Sequence, residues 1–239
     1  LYAAWRFFFT ASKTDYVLVK PSWPVLLATG AAPAALAHPG GEHAITSDHV
    51  FSLPRQPKRV VVLGGGYIAV ELASALRGLG SEVTILHRAP RLLRGFDALL
   101  QDGLTEGFNN AGIAMQPGAL ATRLERTRDG LAVHDSRGAV RHVDCVLNAT
   151  GRRPKTDALG LAECGVEIGR DGAVMVDERH QTTAPGVYAV GDVTGRLNLT
   201  PVAIRQGQEV AHSLFGGPDL PPVRYDIVPT AVFSTPEIG

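Results

Sequence analysis

Cysteine is scarce in this 239-residue sequence, with Cys145 and Cys164 the two examples. Two thiols in a chain of this length make no disulfide framework, which suits a reducing compartment. Cys145 stands in the apolar run Cys-Val-Leu and reads as a buried structural thiol. Net charge is missing as well, because 23 basic residues balance 23 acidic ones. With that balance, nothing advertises nucleic acid or an anionic membrane as a partner. No stretch approaches the roughly 18 uncharged apolar residues of a spanning helix. The aromatic opening (Trp5, Phe7, Phe8, Phe9) is short, is broken by Arg6 and lacks the layout of a cleaved signal peptide. A soluble cytoplasmic protein is the expectation. The first residue is Leu rather than Met, from which a missing natural N-terminus is expected.

What the sequence has is glycine, 27 residues of it, and a hydrophobic content of 45%. Together they suit an α/β protein with tight βα turns and enough apolar surface for one or two domains. The first fifty-odd residues read as irregular, with short strand candidates at 17–19 and 25–28 and a linker bracketed by Pro54 and Pro57. From Arg59 the pattern is regular. Val60 to Leu63 is a continuous apolar strand, as in a parallel sheet covered on both faces. A helix over 67–79 follows, with Ile68, Leu72, Ala75, Leu76 and Leu79 as its apolar stripe and Gly80 as its stop.

A strand at 82–86, a helix at 96–109 and a strand at 113–115 continue the alternation. Then come meander strands at 121–126, 131–134 and 140–143, with turns at Asp129-Gly130 and Arg137-Gly138. A last apolar strand covers 144–149. This β-α-β-α-β, meander, β order predicts one compact domain over 58–152. A second segment, 153–222, carries strand candidates at 174–176 and 187–190 and a helix at 202–215. Residues 223–239 add a strand candidate at 230–233.

The local signal with most chemistry in it is Gly64-Gly65-Gly66-Tyr67-Ile68-Ala69, between a strand and a helix. In that context a G-x-G-x-x-A turn is the phosphate cradle of a dinucleotide-binding Rossmann unit. Gly64 permits the turn, Gly66 admits a pyrophosphate, and Ala69 lets the helix pack close. The free N–H groups at the helix start face the diphosphate. NAD-binding units place an acid about twenty residues on, against the ribose 2′-hydroxyl. Here that place holds His87 and Arg88. A guanidinium offers bidentate hydrogen bonds to a 2′-phosphate, so Arg88 and Arg94, with Arg91 in reserve, predict NADPH.

The stretch Gly64-Gly65-Gly66-Tyr67-Ile68-Ala69-Val70-Glu71-Leu72-Ala73, with Arg88 and Arg94-Gly-Phe-Asp, resembles the NADPH fingerprint of glutathione reductases. Tyr188 to Thr194 resembles the second FAD motif of the pyridine nucleotide–disulfide oxidoreductases. Leu199-Thr200-Pro201-Val202-Ala203 is similar to its continuation, and Pro229 to Gly239 to the entry of the family's dimer-interface domain.

The resemblance implies an α/β fold, a Rossmann-type NADPH-binding domain (three layers, parallel sheet plus β-meander) inserted in the remnant of an FAD-binding domain. In those terms 1–57 is FAD-domain remnant and linker, 58–152 the NADPH domain, 153–222 the return to the FAD domain, and 223–239 the start of the interface domain. The implied chemistry is hydride from NADPH to FAD, then electrons through a cysteine pair to glutathione disulfide, in a homodimer.

Residue by residue, the resemblance makes Tyr67 a ring that covers the flavin until nicotinamide displaces it. Glu71 would face the nicotinamide carboxamide and pair with a lysine of the FAD domain. Gly151 and Arg152 would line the dinucleotide site. Asp192 would hold the FAD ribitol, and Thr200 would open a helix whose N–H groups approach the flavin pyrimidine edge. The tamer alternatives are packing for Tyr67, an N-cap for Thr200 and a turn residue for Asp192.

The departures are equally specific. No G-x-G-x-x-G turn precedes residue 60, no Cys-x-x-x-x-Cys pair is present, and no histidine stands in the family's His-Pro-Thr motif. The expectation is therefore a truncated form that binds dinucleotide, has no catalytic residue of its own, and does not reduce disulfides alone. Trypanothione, mercuric and dihydrolipoamide reductases remain alternatives, as does a non-catalytic NADPH-binding module. The arginines weigh against the dihydrolipoamide type.

Overall fold

The computed structural model describes residues 24–218 and 220–239. The strand expected at 17–19 lies outside them. In chain order the elements begin with β1 (Val25–Leu27), β2 (Ala31–Pro33), β3 (Ile45–Thr46) and the short helix α1 (Ser47–Val50). They continue with β4 (Arg59–Leu63), α2 (Tyr67–Gly78), β5 (Glu82–His87), α3 (Ala98–Ala111) and β6 (Ala114–Pro117). The strands β7 (Ala121–Thr127), β8 (Gly130–Asp135), β9 (Val140–Val143) and β10 (Cys145–Asn148) follow. The last elements are β11 (Arg152–Pro154), β12 (Val187–Ala189) and α4 (Thr200–Phe215). Two compact units result, one of Pro33–Arg152 with Pro229–Gly239, the other of residues 24–32 with Arg153–Val228.

The first unit is three layers deep. Its centre is a parallel sheet in the order β3-β10-β4-β5-β6. Because alternate strand residues face opposite ways, Val60 and Val62 of β4 join α2 and α3 on one side. Val61 and Leu63 join the meander β7-β8-β9 on the other. All four are at most 3% exposed, which explains why β4 is apolar without alternation. Its start is fixed by Asp144, whose carboxylate accepts the N–H groups of Lys58 and Arg59 and the Arg59 guanidinium at 2.7 Å. That guanidinium holds the Asp144 carboxyl below the usual range, against the opposing effect of burial.

Most of the elements expected from periodicity are present, with several changes of detail. On α2 the buried residues are Ala69, Val70, Ala73, Ser74 and Leu76, whereas Ala75 and Leu79 are exposed. The stripe predicted through Ile68, Leu72 and Leu79 is thus displaced, because small side chains are what let a helix sit close on a sheet. The span 33–57 is also less irregular than expected, since Ile45 and Thr46 pair with Leu147 and Asn148 of β10. Asn148 in turn donates to the Ala34 carbonyl at 2.7 Å.

The strand expected at 230–233 is a small loop closed by one bridge, Val232 to Ile238. Both residues are buried with α2 and α3. Thr235 N–H donates to the Ser74 hydroxyl at 2.8 Å, and Pro236 lies beside Gly107.

In the second unit β1 pairs in parallel with β12 over a core that includes Leu27, Leu161, Val166, Val187 and Val193. The strand expected at 174–176 reduces to isolated bridges at Val174 and Val176. Gln206 of α4, 1% exposed, accepts from Gly191 N–H at 2.6 Å and donates to the Tyr225 hydroxyl at 2.7 Å. Among the described residues, no helix is long and apolar enough to cross a membrane.

Candidate functional site

The turn from β4 into α2 is built by three strand ends meeting. Gly64 N–H donates to the Leu86 carbonyl at 2.9 Å, and Leu93 N–H donates to that of Gly65 at 2.7 Å. Gly64 has φ +125°, and a Cβ there would sit 2.7 Å from the Ala149 carbonyl carbon. The end of β10 therefore demands glycine at this point. Gly66 differs, for its backbone is extended and a Cβ there would meet nothing within 4 Å. Among the described residues nothing excludes a side chain at Gly66, and the space beside it is a cavity.

That cavity measures about 590 Å³. Its walls include Gly64, Gly65, Gly66, Tyr67, His87, Arg88, Arg91, Arg94 and Thr150. Three arginines and two histidines line it, and no carboxylate is among its described lining residues. Arg91 is bound to Asp102 of α3 at 2.9 Å. Arg88 and Arg94 are exposed and, among the described residues, form no ion pair. An opening that combines unpaired guanidinium groups with the N-terminal end of a helix carrying no side-chain cap attracts a phosphorylated ligand. His87 is 3% exposed, and burial lowers the affinity of its ring for a proton, with the Ala89 backbone acting the other way.

The remaining expected residues fall in several places. Tyr67 is 41% exposed and stands on the cavity wall. Ala69 and Val70 are fully buried beneath α2, so their side chains pack the helix on the sheet instead of lining the cavity, and Ile68 is half-buried. The Glu71 carboxylate accepts the N–H of Phe233 at 2.9 Å. Gly151, with φ +149°, and Arg152 follow Thr150 just beyond β10.

Asp192 and Thr200 belong to the other unit. Asp192 lies in the turn Gly191–Thr194 with its carboxylate unbonded among the described residues. Thr200 is the first residue of α4 and exposed, and Leu199 is the N-cap with no side-chain cap bond. The N-cap alternative for Thr200 is therefore not what the structure shows. Leu36, His38, Leu120 and Ala121 also line the cavity and carry no periodic or motif signal in the sequence.

The family model described as pyridine nucleotide-disulphide oxidoreductase matches residues 22–207. Over 213 residues the chain is 46% identical to a glutathione reductase of Burkholderia cepacia, a match covering 89% of this chain and 47% of that protein. Over 225 residues it is 40% identical to a glutathione reductase of Nostoc sp. (strain PCC 7120), covering 89% and 49%. Among solved structures it is similar to LpdA of Mycobacterium tuberculosis, with a TM-score of 0.82 and 34% identity over 90% of this chain and 47% of that one. The HOCl-induced flavoprotein disulfide reductase RclA of Escherichia coli is similar too, with a TM-score of 0.82 and 32% identity over 90% and 50%. The chain spans about half the length of the curated relatives it matches.

Proposed function

The chain belongs to the pyridine nucleotide-disulphide oxidoreductases, and on that footing we propose that the unit containing the glycine turn binds NADPH. NADPH serves there as the hydride source of a flavin-dependent reductase acting on glutathione disulfide as a homodimer. The observation that carries this reading is the cavity beside Gly66, lined by Arg88 and Arg94 without a carboxylate. An acid there would repel a 2′-phosphate, whereas two unpaired guanidinium groups bind one.

The diphosphate belongs against the backbone of Gly65, Gly66 and Tyr67, where the first turn of α2 presents its N–H groups. Tyr67 closes the cavity at the helix start, and Gly151 and Arg152 extend the site from the end of β10. The segment 229–239, held on α2 through Glu71 and Ser74, fixes the outer face of that helix.

In the other unit, two groups fit FAD. The unbonded Asp192 carboxylate suits a ribitol hydroxyl, and the uncapped first turn of α4 at Thr200 suits an electron-rich ring edge. FAD supplies the two-electron acceptor when bound. Cys145 lies buried in β10, and Cys164 is in the other unit. Neither serves as a disulfide relay, so these 239 residues by themselves bind the dinucleotide without reducing a disulfide. Titration calorimetry of the chain with NADPH at fixed salt tests the reading. It requires saturable binding at one site, and a chain that is folded by circular dichroism yet gives no heat of binding refutes it.

A further inference from the structure

The turn that carries Asp192 is held on both sides by one tyrosine. Gln206 of α4, 1% exposed, accepts Gly191 N–H at 2.6 Å and donates to the Tyr225 hydroxyl at 2.7 Å. An N–H only donates, so the amide oxygen must face Gly191 and the amide nitrogen Tyr225. Arg196, just past the turn, reaches the same hydroxyl with Nη1 at 3.2 Å, and its guanidinium lies 5.3 Å from the centre of the Tyr225 ring. Its Nη2 donates to the carbonyls of Val176 and Asp177 at 2.9 and 3.1 Å. The two ends of the segment 191–196 thus converge on one oxygen, the first through Gln206 and the last directly.

Neither tie is what closes the turn. The Thr194 hydroxyl donates to the Gly191 carbonyl at 2.8 Å, and Gly195 N–H donates to that of Asp192 at 3.1 Å. Those local bonds give the turn its shape, while Gln206 and Tyr225 set where it sits against α4. The approach is close. Gly191 has φ +75°, and a Cβ there would lie 3.2 Å from that of Ala203. Ala203 and Gln206, three residues apart, share one face of the helix, so the turn rests on the beginning of α4. A buried N–H without a partner is costly, which is the reason for an amide at 206 where α4 is otherwise buried through Val202 and Val210.

We infer that Gln206 and Tyr225 are positioning residues for FAD, holding the Asp192 carboxylate in a fixed place relative to the first turn of α4 so that one ligand engages both. This rests on the reading of Asp192 and the start of α4 as flavin groups. It adds two residues that act without touching the ligand. A carboxylate shifted from its place loses its bond to a ribitol hydroxyl, because hydrogen bonds weaken steeply with distance and angle.

The test is titration of the 239-residue chain with FAD, followed by quenching of flavin fluorescence, beside urea denaturation of each variant. Saturable quenching is expected of the wild-type chain. Gln206→Leu leaves the Gly191 N–H unpaired and weakens FAD roughly tenfold or more, and Tyr225→Phe weakens it roughly threefold to tenfold. Gln206→Glu brings affinity back to within about threefold of wild type, because a carboxylate accepts the Gly191 N–H and the Tyr225 hydroxyl turns to donate. Val210→Ala lies on the same buried face of α4. It lowers the urea midpoint by opening the core, yet leaves FAD affinity within about twofold. The rescue and this control separate positioning from stability. Wild-type affinity in Gln206→Leu, no recovery in Gln206→Glu, or an equal loss in Val210→Ala overturns the inference while the flavin reading stands. Should Gln206→Leu fail to fold by circular dichroism, Tyr225→Phe decides, and unchanged FAD affinity there overturns the inference. No quenching by the folded wild-type chain overturns both.

Discussion

Asp102 on α3 binds the guanidinium of Arg91 at 2.9 Å, so of the three arginines in the loop after β5 the middle one is already neutralised. Arg88 and Arg94, on either side of it, keep their charge for a ligand. Arg91→Ala is accordingly expected to change NADPH affinity by no more than about threefold, because an exposed pair contributes roughly 0–1 kcal/mol. A larger loss in a titration would assign Arg91 to the phosphate.

The two glycines of the turn separate stability from binding. Gly64→Ala pushes a Cβ into the backbone of Ala149 at a φ that only glycine adopts easily. It is expected to cost at least ~1–3 kcal/mol, read as a lower urea midpoint. Gly66→Ala meets open space and leaves the midpoint unchanged, but weakens NADPH roughly tenfold or more, because the methyl group stands where the pyrophosphate approaches. Equal loss of stability in both variants would contradict the assignment of Gly66 to the ligand.

Asp135 ties the β8–β9 turn together, accepting the N–H groups of Arg137 and Ala139 at 2.9 Å and the Arg141 guanidinium at 2.5 Å. The Arg141 hydrogen bond is the main reason its carboxyl lies below the usual value of 3.8, with burial opposing. A carboxyl held lower in the fold than in the unfolded chain stabilises the fold above its unfolded pKa. That contribution is lost as pH falls through the folded value. Asp135→Asn is expected to cost ~1–3 kcal/mol at pH 7, with the deficit shrinking below pH 3.8. A deficit constant with pH, measured by urea denaturation, would show that shape and not charge is at stake.

Cys145 is 8% exposed, and burial, then the Asp144 charge, push its thiol up to about 11. A thiol with so little thiolate reacts slowly. Iodoacetamide at pH 8 should spare Cys145 in the native chain and modify it in urea, as read by peptide mapping. Native labelling would show that β10 opens readily.

Much of this architecture was legible in the sequence, and the exceptions share a cause. β4 and the turn of Gly64 to Gly66 declare themselves through a continuous apolar run and glycines whose spacing has one common meaning. Ile45 and Thr46 form a strand only because β10 lies beside them, and two residues hold no period to read. The buried face of α2 escaped for a related reason. Spacing of large apolar residues favoured Ile68, Leu72 and Leu79, while close contact with the sheet selected Ala69, Ala73 and Ser74. Residues 230–233 alternate like a strand, yet their partner is Ile238, a few residues on, so they close a loop. The candidate site shows the same division. Arg88 and Arg94 stand out as cations where an acid was the norm, whereas His38 reaches the cavity through the clamp between Pro39 and Leu124, a contact across 85 residues of sequence.

The central claim is that Arg88 and Arg94 select the phosphorylated dinucleotide. Its most direct test is the ratio of NADPH to NADH affinity, by calorimetry at one salt concentration, in the wild-type chain and in the Arg88→Ala/Arg94→Ala variant. The account predicts a wild-type ratio of about a hundred or more, falling to near one in the variant, with NADH affinity little changed, since each charged hydrogen bond contributes ~1.5–3 kcal/mol. A ratio that survives both substitutions, or a wild-type chain that prefers NADH, would contradict it.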